Sequence, residues 1–144
     1  MHDRGEMYIN GKWVKAKGTE RIEVINPSTE EIIGTIPVGN QDDIDYAIKS
    51  AKKAFTDWSK SRVEDRIDIL NSLSASLKER SEEIAQIITS EVGTPIGYSR
   101  TAMVGTPRVV ARSYAKILET FEWEEEVRNS LIVKEAIGVC AFIT

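Results

Sequence analysis

Few side chains in this sequence could act as nucleophiles, bases or ligands, and they are scattered. Its one cysteine, Cys140, could in principle attack a carbon centre, but a thiol becomes a strong nucleophile only where a cation, a base or a helix N-terminus lowers its pKa. Cys140 stands in the apolar run Ala136-Ile137-Gly138-Val139-Cys140-Ala141-Phe142-Ile143 with no cation beside it, and reads as a buried structural thiol. The one histidine, His2, lies in a terminus expected to fray, so no nucleophile–base pair can be assembled elsewhere. The run Glu122-Trp123-Glu124-Glu125-Glu126 could supply paired carboxylates, yet strand alternation puts Glu122, Glu124 and Glu126 on one solvated edge. Trp13, Trp58, Trp123 and Tyr114 could cage a ligand, but Trp58 continues a helical stripe and Trp13 and Trp123 fall on hairpins, which favours packing. Glycine-rich phosphate loops, Gly-x-Ser-x-Gly and His-Glu-x-x-His are all absent. The residues thus offer no catalytic set.

The elements around these residues follow from local pattern. Asn10-Gly11 between Tyr8-Ile9 and Lys12-Trp13-Val14 predicts a tight hairpin, since both turn residues need positive φ. Arg21 to Ile25 alternates as a strand, stops at Asn26-Pro27, and is expected to pair with Ile32 to Val38. Ile44, Ala47, Ile48, Ala51, Ala54, Phe55 and Trp58 then fall three or four apart, a helix capped by Asn40 with Asp42 and Asp43 in its first turn. A second helix, capped by Ser61, would bury Val63, Ile67, Leu70, Leu73 and Leu77 and end near Arg80. A third, capped by Ser81, would bury Ile84, Ile87, Ile88 and Val92 and stop at Gly93 before Pro95. The stretch from about Ser99 to Glu119 is helical, with a kink or a restart capped by Thr106 expected at Pro107. Phe121 to Glu124 and Leu131 to Lys134 form a hairpin turning through Val127 to Ser130. Ala136 to Thr144 lacks alternation, as in the middle of a parallel sheet, and such a strand needs neighbours on both sides. On this pattern the chain is expected to be the first third of something larger.

Composition narrows the classes. With 41% hydrophobic and 29% charged residues in 144, the sequence is globular, and if compact would bury roughly two thirds of its unfolded surface. A net charge of −4, with no basic tail or stripe, argues against nucleic acid as a partner. No apolar run approaches the ~20 residues needed to cross a bilayer, so no membrane association and a cytoplasmic location are expected. A single cysteine excludes an internal disulfide and a multi-cysteine zinc site.

Five motifs in order carry a resemblance: Tyr8 to Val14; Val24-Ile25-Asn26-Pro27-Ser28-Thr29-Glu30-Glu31-Ile32-Ile33-Gly34; Asp43 to Ile48 running on to Ala54-Phe55 and Trp58; Glu91-Val92-Gly93-Thr94-Pro95; and Lys134-Glu135-Ala136-Ile137-Gly138-Val139-Cys140. Together they resemble the N-terminal part of the NAD(P)-dependent aldehyde dehydrogenase superfamily, from Tyr8 onward. Thr94 stands where that family usually has Lys, and Ala136 where it usually has Pro.

The resemblance implies an α/β fold, with helices and β-hairpins leading into the first strand of a parallel dinucleotide-binding sheet. Residues 1–120 would belong to the cofactor-binding domain, 121–135 to an oligomerisation hairpin and 136–144 to the first core strand. It also implies an oxidoreductase that turns aldehydes into carboxylic acids with NAD or NADP, through a cysteine thiohemiacetal and thioester. The family's catalytic Cys, general-base Glu and oxyanion Asn have no counterparts here, so this chain alone is expected to be inactive. Ile143 and Thr144 resemble cofactor-contacting residues, and a monovalent cation near the backbone of Ile25 and the carboxylate of Glu91 is implied. A homo-oligomer is expected as well. The alternative is a non-catalytic helical interaction module, against which the uncovered terminal strand stands.

Overall fold

A computed structural model describes residues 2, 3 and 5–143. The N-terminal backbone, expected to fray, forms a short strand β1 (His2–Asp3) lying parallel to β5 (Ile32–Pro37). Asn10 and Gly11 take φ of 55° and 75°, and their turn joins the antiparallel β2 (Glu6–Ile9) and β3 (Lys12–Lys15). Across that hairpin the Tyr8 and Trp13 rings meet edge to face at 5.2 Å. Strand β4 (Arg21–Ile25) pairs antiparallel with β5 as expected, giving the order β1-β5-β4, with a break in register between Val24 and Ile25.

Helix α1 (Gln41–Trp58) starts from Asn40, whose side-chain oxygen accepts from the Asp43 amide at 3.2 Å while Asp43 accepts from the Asn40 amide at 3.1 Å. Helix α2 (Val63–Glu79) is not capped by Ser61. The Ser61 hydroxyl donates instead to the Trp58 carbonyl at 2.7 Å, closing α1, and Arg62 takes the cap position with its guanidinium and amide on Asp65. Ser81 likewise lies inside α3 (Ser81–Val92), because Arg80 serves both as the end of α2 and as the cap of α3. Gly93, with φ of 75°, ends α3, and a Cβ there would come within 2.8 Å of Pro27 Cγ. That contact sets the end of α3 against the turn after β4.

The break near Pro107 lies earlier than expected. After a single turn α4 (Ile96–Tyr98), the segment Ser99–Val104 is a π-helix, and α5 (Gly105–Leu118) begins two residues ahead of the proline. Pro107 has no N–H to donate to the carbonyl four residues back, and the chain widens in the preceding turn rather than restarting at Thr106. Strands β6 (Glu124–Val127) and β7 (Ser130–Val133) form the second hairpin, with a tighter turn than expected in which Arg128 has φ of 57°.

Apart from Ile9 at the end of β2, the core is made of residues where helices meet: Ala85 and Ser99, fully buried, between α3 and the π segment, and Val104, Ala111 and Ala115 on the faces turned to neighbouring helices. Helix α5 packs on α2, and Ser74 donates to the Arg108 carbonyl across that contact at 3.1 Å. Much of the apolar stripes stays uncovered, with Ile44, Ile48, Leu73, Ile87 and Val92 all exposed rather than buried. The exposed surface is 11449 Å², against about 7,400 Å² for a compact monomer of this mass. The chain therefore does not bury its own apolar faces.

Candidate functional site

Two groups of residues tie strands to helix starts, and both were only partly visible in the sequence. In the first, buried Asp43 receives the Lys17 amide on both carboxylate oxygens (3.0 and 3.1 Å), the Gly18 amide at 3.2 Å and the Asn40 amide at 3.1 Å. The Lys17 amide foremost, then that of Asn40, hold the Asp43 carboxyl below its ordinary range, against the opposing effect of burial. A carboxylate that accepts only backbone N–H groups is an anchor, with no proton to exchange at neutral pH.

The second group lines a cleft of about 700 Å³ between the start of α2 and the base of the β6–β7 hairpin, including Phe55, Ser61, Arg66, Trp123, Lys134 and Glu135. The Arg66 guanidinium carbon lies 5.9 Å from the Trp58 ring centroid and 5.4 Å from that of Trp123. Its nitrogens donate to Ser61 Oγ at 2.9 Å and to the Ser59 carbonyl at 3.3 Å. The Trp123 indole nitrogen is buried without a hydrogen-bond partner. Lys134 donates from Nζ to the Glu122 carbonyl at 2.7 Å and sits 5.0 Å over the Phe121 ring. The tryptophans expected merely to pack thus hold an arginine between them. Arg66 was missed because Trp58 and Trp123 reach it across a chain turn and from a distant hairpin, beyond any single helical period.

A third feature is a cleft along α5. Arg108, Arg112 and Lys116, about one turn apart on α5, line this cleft of about 610 Å³ with Asn71 and Glu119. The three uncharged residues between each pair hide the spacing in a linear reading.

The sequence-predicted site residues are not brought together. Cys140, expected to be buried in a strand, is exposed, and residues 134–143 form no strand in this chain. An apolar segment with no partner strand beside it has nowhere to place its backbone bonds. Ile143 is 96% exposed, and Thr144 lies outside the described residues. Ile25 is half exposed at the register break ending β4, and Glu91 is exposed on the last turn of α3. Glu124 and Glu126 lie along solvated β6 as expected, with Glu122 just ahead of it. No cluster of three or more His, Cys, Asp or Glu able to hold a metal occurs among the described residues. Nor is any helix among them long and apolar enough to cross a membrane.

The helices and hairpins define an α/β assembly whose sheet and helical faces are only part-covered. Its counterpart is found in known proteins. The model of the aldehyde dehydrogenase family matches residues 13–144, and the chain belongs to that family. It is 35% identical, over 100% of its length and 30% of the relative's, to a 3-succinoylsemialdehyde-pyridine dehydrogenase of a Pseudomonas species. The fold is similar to the crystal structure of an aldehyde dehydrogenase from Bartonella henselae (30% identity, TM-score 0.86, 90% of this chain and 28% of that one). It is equally similar to aldehyde dehydrogenase C of Pseudomonas syringae, a mutant form in complex with NAD+ and octanal (30% identity, TM-score 0.86, 89% and 26%). The chain corresponds to the N-terminal part of such structures and spans about 30% of the length of the curated relatives it matches. Membership of this family favours the dehydrogenase reading over a helical interaction module.

Proposed function

We propose that this chain is the N-terminal part of an enzyme that oxidises aldehydes to carboxylic acids with NAD or NADP. The observation that carries the reading is the TM-score of 0.86 over 89% of the chain to an aldehyde dehydrogenase holding NAD+ and octanal. Residues 1–120 then belong to the cofactor-binding domain, 121–135 form a hairpin for homo-oligomer association, and 136–144 supply the first core strand of the parallel sheet. The apolar, partnerless character of 136–143 supports that last assignment, because such a segment is satisfied only between two other strands. Ile143 and Thr144 would face the cofactor at the carboxyl end of that strand. In this chain Ile143 is exposed with no cradle around it, so the residues present do not by themselves fit a dinucleotide.

For a monovalent cation, the Ile25 backbone oxygen and the Glu91 carboxylate are hard donors of a suitable kind. The Pro27–Gly93 contact supports this, since it sets their two elements side by side. A single cysteine with no disulfide partner in the chain suits a reducing compartment, which supports a cytoplasmic location. The test is reduced-nicotinamide absorbance with a panel of aldehydes, run on the full-length protein and on residues 1–144. Turnover by the full-length protein alone is expected; turnover by the 144-residue chain that is lost in Cys140→Ala would overturn the reading.

A further inference from the structure

We propose that Arg66 is a positioning residue that fixes the direction in which the β6–β7 hairpin leaves the helices, acting through the ring of Trp123. All eight strand residues of this hairpin are exposed, so the strands themselves do not pack it onto the body. What joins hairpin to body is its base. There the Lys134 amide donates to the Trp123 carbonyl at 2.9 Å, Lys134 Nζ reaches the Glu122 carbonyl, and the Phe121 ring meets Trp123 edge to face at 4.7 Å. These contacts make the base one unit, and Arg66 stacked on Trp123 ties that unit to the helices. Arg66 is itself held from the other side by the Trp58 ring, Ser61 Oγ and the Ser59 carbonyl, all at the junction of α1 and α2.

The route from helix junction to hairpin therefore runs Trp58, Arg66, Trp123, Lys134. Arg66 makes no ion pair among the described residues, so its hold depends on ring faces and neutral oxygens rather than on a carboxylate. A lysine could keep the charge but could not present a flat guanidinium to two rings while bonding two oxygens. The consequence for association rests on the proposal that the hairpin is the association surface. A hairpin already aimed loses less freedom on docking, so releasing it weakens the assembly without touching an interface residue.

The test is amide hydrogen exchange in the full-length protein, read over residues 124–134 and separately over α2 and α5, together with mass in solution. Arg66→Ala is expected to speed exchange in the hairpin about tenfold, the scale of one lost cation–π contact, with α2 and α5 unchanged. Arg66→Lys should recover only part of the protection. Trp123→Ala should reproduce the Arg66→Ala result, whereas Trp123→Phe, which keeps a ring and removes the unpartnered indole N–H, should stay close to wild type. Because Trp123 lies outside the helices, the Trp123 pair decides the matter if Arg66→Ala fails to fold. Unchanged hairpin exchange in folded Arg66→Ala, or equal loss in Trp123→Phe and Trp123→Ala, would overturn the assignment. Deleting Phe121 to Ser130 separates the two readings: an unchanged oligomer removes the association role, while the exchange result still judges Arg66.

Discussion

Two strand systems are tied to two helix starts in this molecule, and the ties differ in kind. Asp43, in the first turn of α1, grips the loop after β3 through backbone N–H groups, each with a defined direction and length. Arg66, near the start of α2, grips the base of the β6–β7 hairpin through ring faces. A carboxylate among amides permits one loop conformation, since each amide left without it would be an unpaired donor. A cation between rings tolerates sliding. The first tie suits a part that must stay still, and the second a part whose direction is set while its strands remain open to a neighbour.

The contrast can be broken at its firm end first. Gly18, whose amide bonds Asp43, has no room for a side chain because a Cβ would run into the Val38 carbonyl. Gly18→Ala should cost about 3 kcal/mol, read as a lower urea midpoint with unchanged slope. Asn40→Ala, which removes one half of the reciprocal cap and leaves the Asp43 carboxylate in place, should cost about 1 kcal/mol by the same measurement.

The smallest effect is electrostatic. Arg100 donates to Glu82 through two nitrogens at 2.7 and 2.8 Å, and this contact foremost, with help from Gln86, lowers the Glu82 pKa from 4.5 to about 2. A depressed carboxylate stabilises the fold above its unfolded pKa and loses that contribution as pH falls through its folded one. Glu82→Gln should therefore lower the melting temperature slightly at pH 7, and the difference from wild type should shrink from pH 4.5 down to about 2. High salt should shrink it too, because the pair is exposed.

Local chemistry was readable where one short-range preference decides the outcome. Asn10-Gly11, Asn40 and Gly93 each sit where the sequence put them, because positive φ or a cap oxygen is a property of the residue itself. Ser61 and Ser81 failed as caps because Arg62–Asp65 and Arg80–Glu83 pairs occupy the helix starts, a competition that residue preference does not rank. Asp43 was legible as a first-turn acid, but its grip on Lys17 and Gly18 depends on a loop 25 and 26 residues away in sequence. Arg66 carried no signal of its own. Cys140 was misplaced because burial in a strand is decided by neighbouring strands, and an apolar run records only the demand for them.

The π-helical segment from Ser99 to Val104 has a consequence for phase. A wide turn takes up an extra residue without ending the helix, so the turns beyond it are rotated by about 100° relative to an uninterrupted α-helix. At its first residue Ser99 meets Thr89 on α3, and downstream Ala111 and Ala115 are buried where α5 packs on α2. The insertion is what lets one continuous rod present the correct side to two partners in succession. Removing a single residue there would leave the rod intact and turn its far half away from α2.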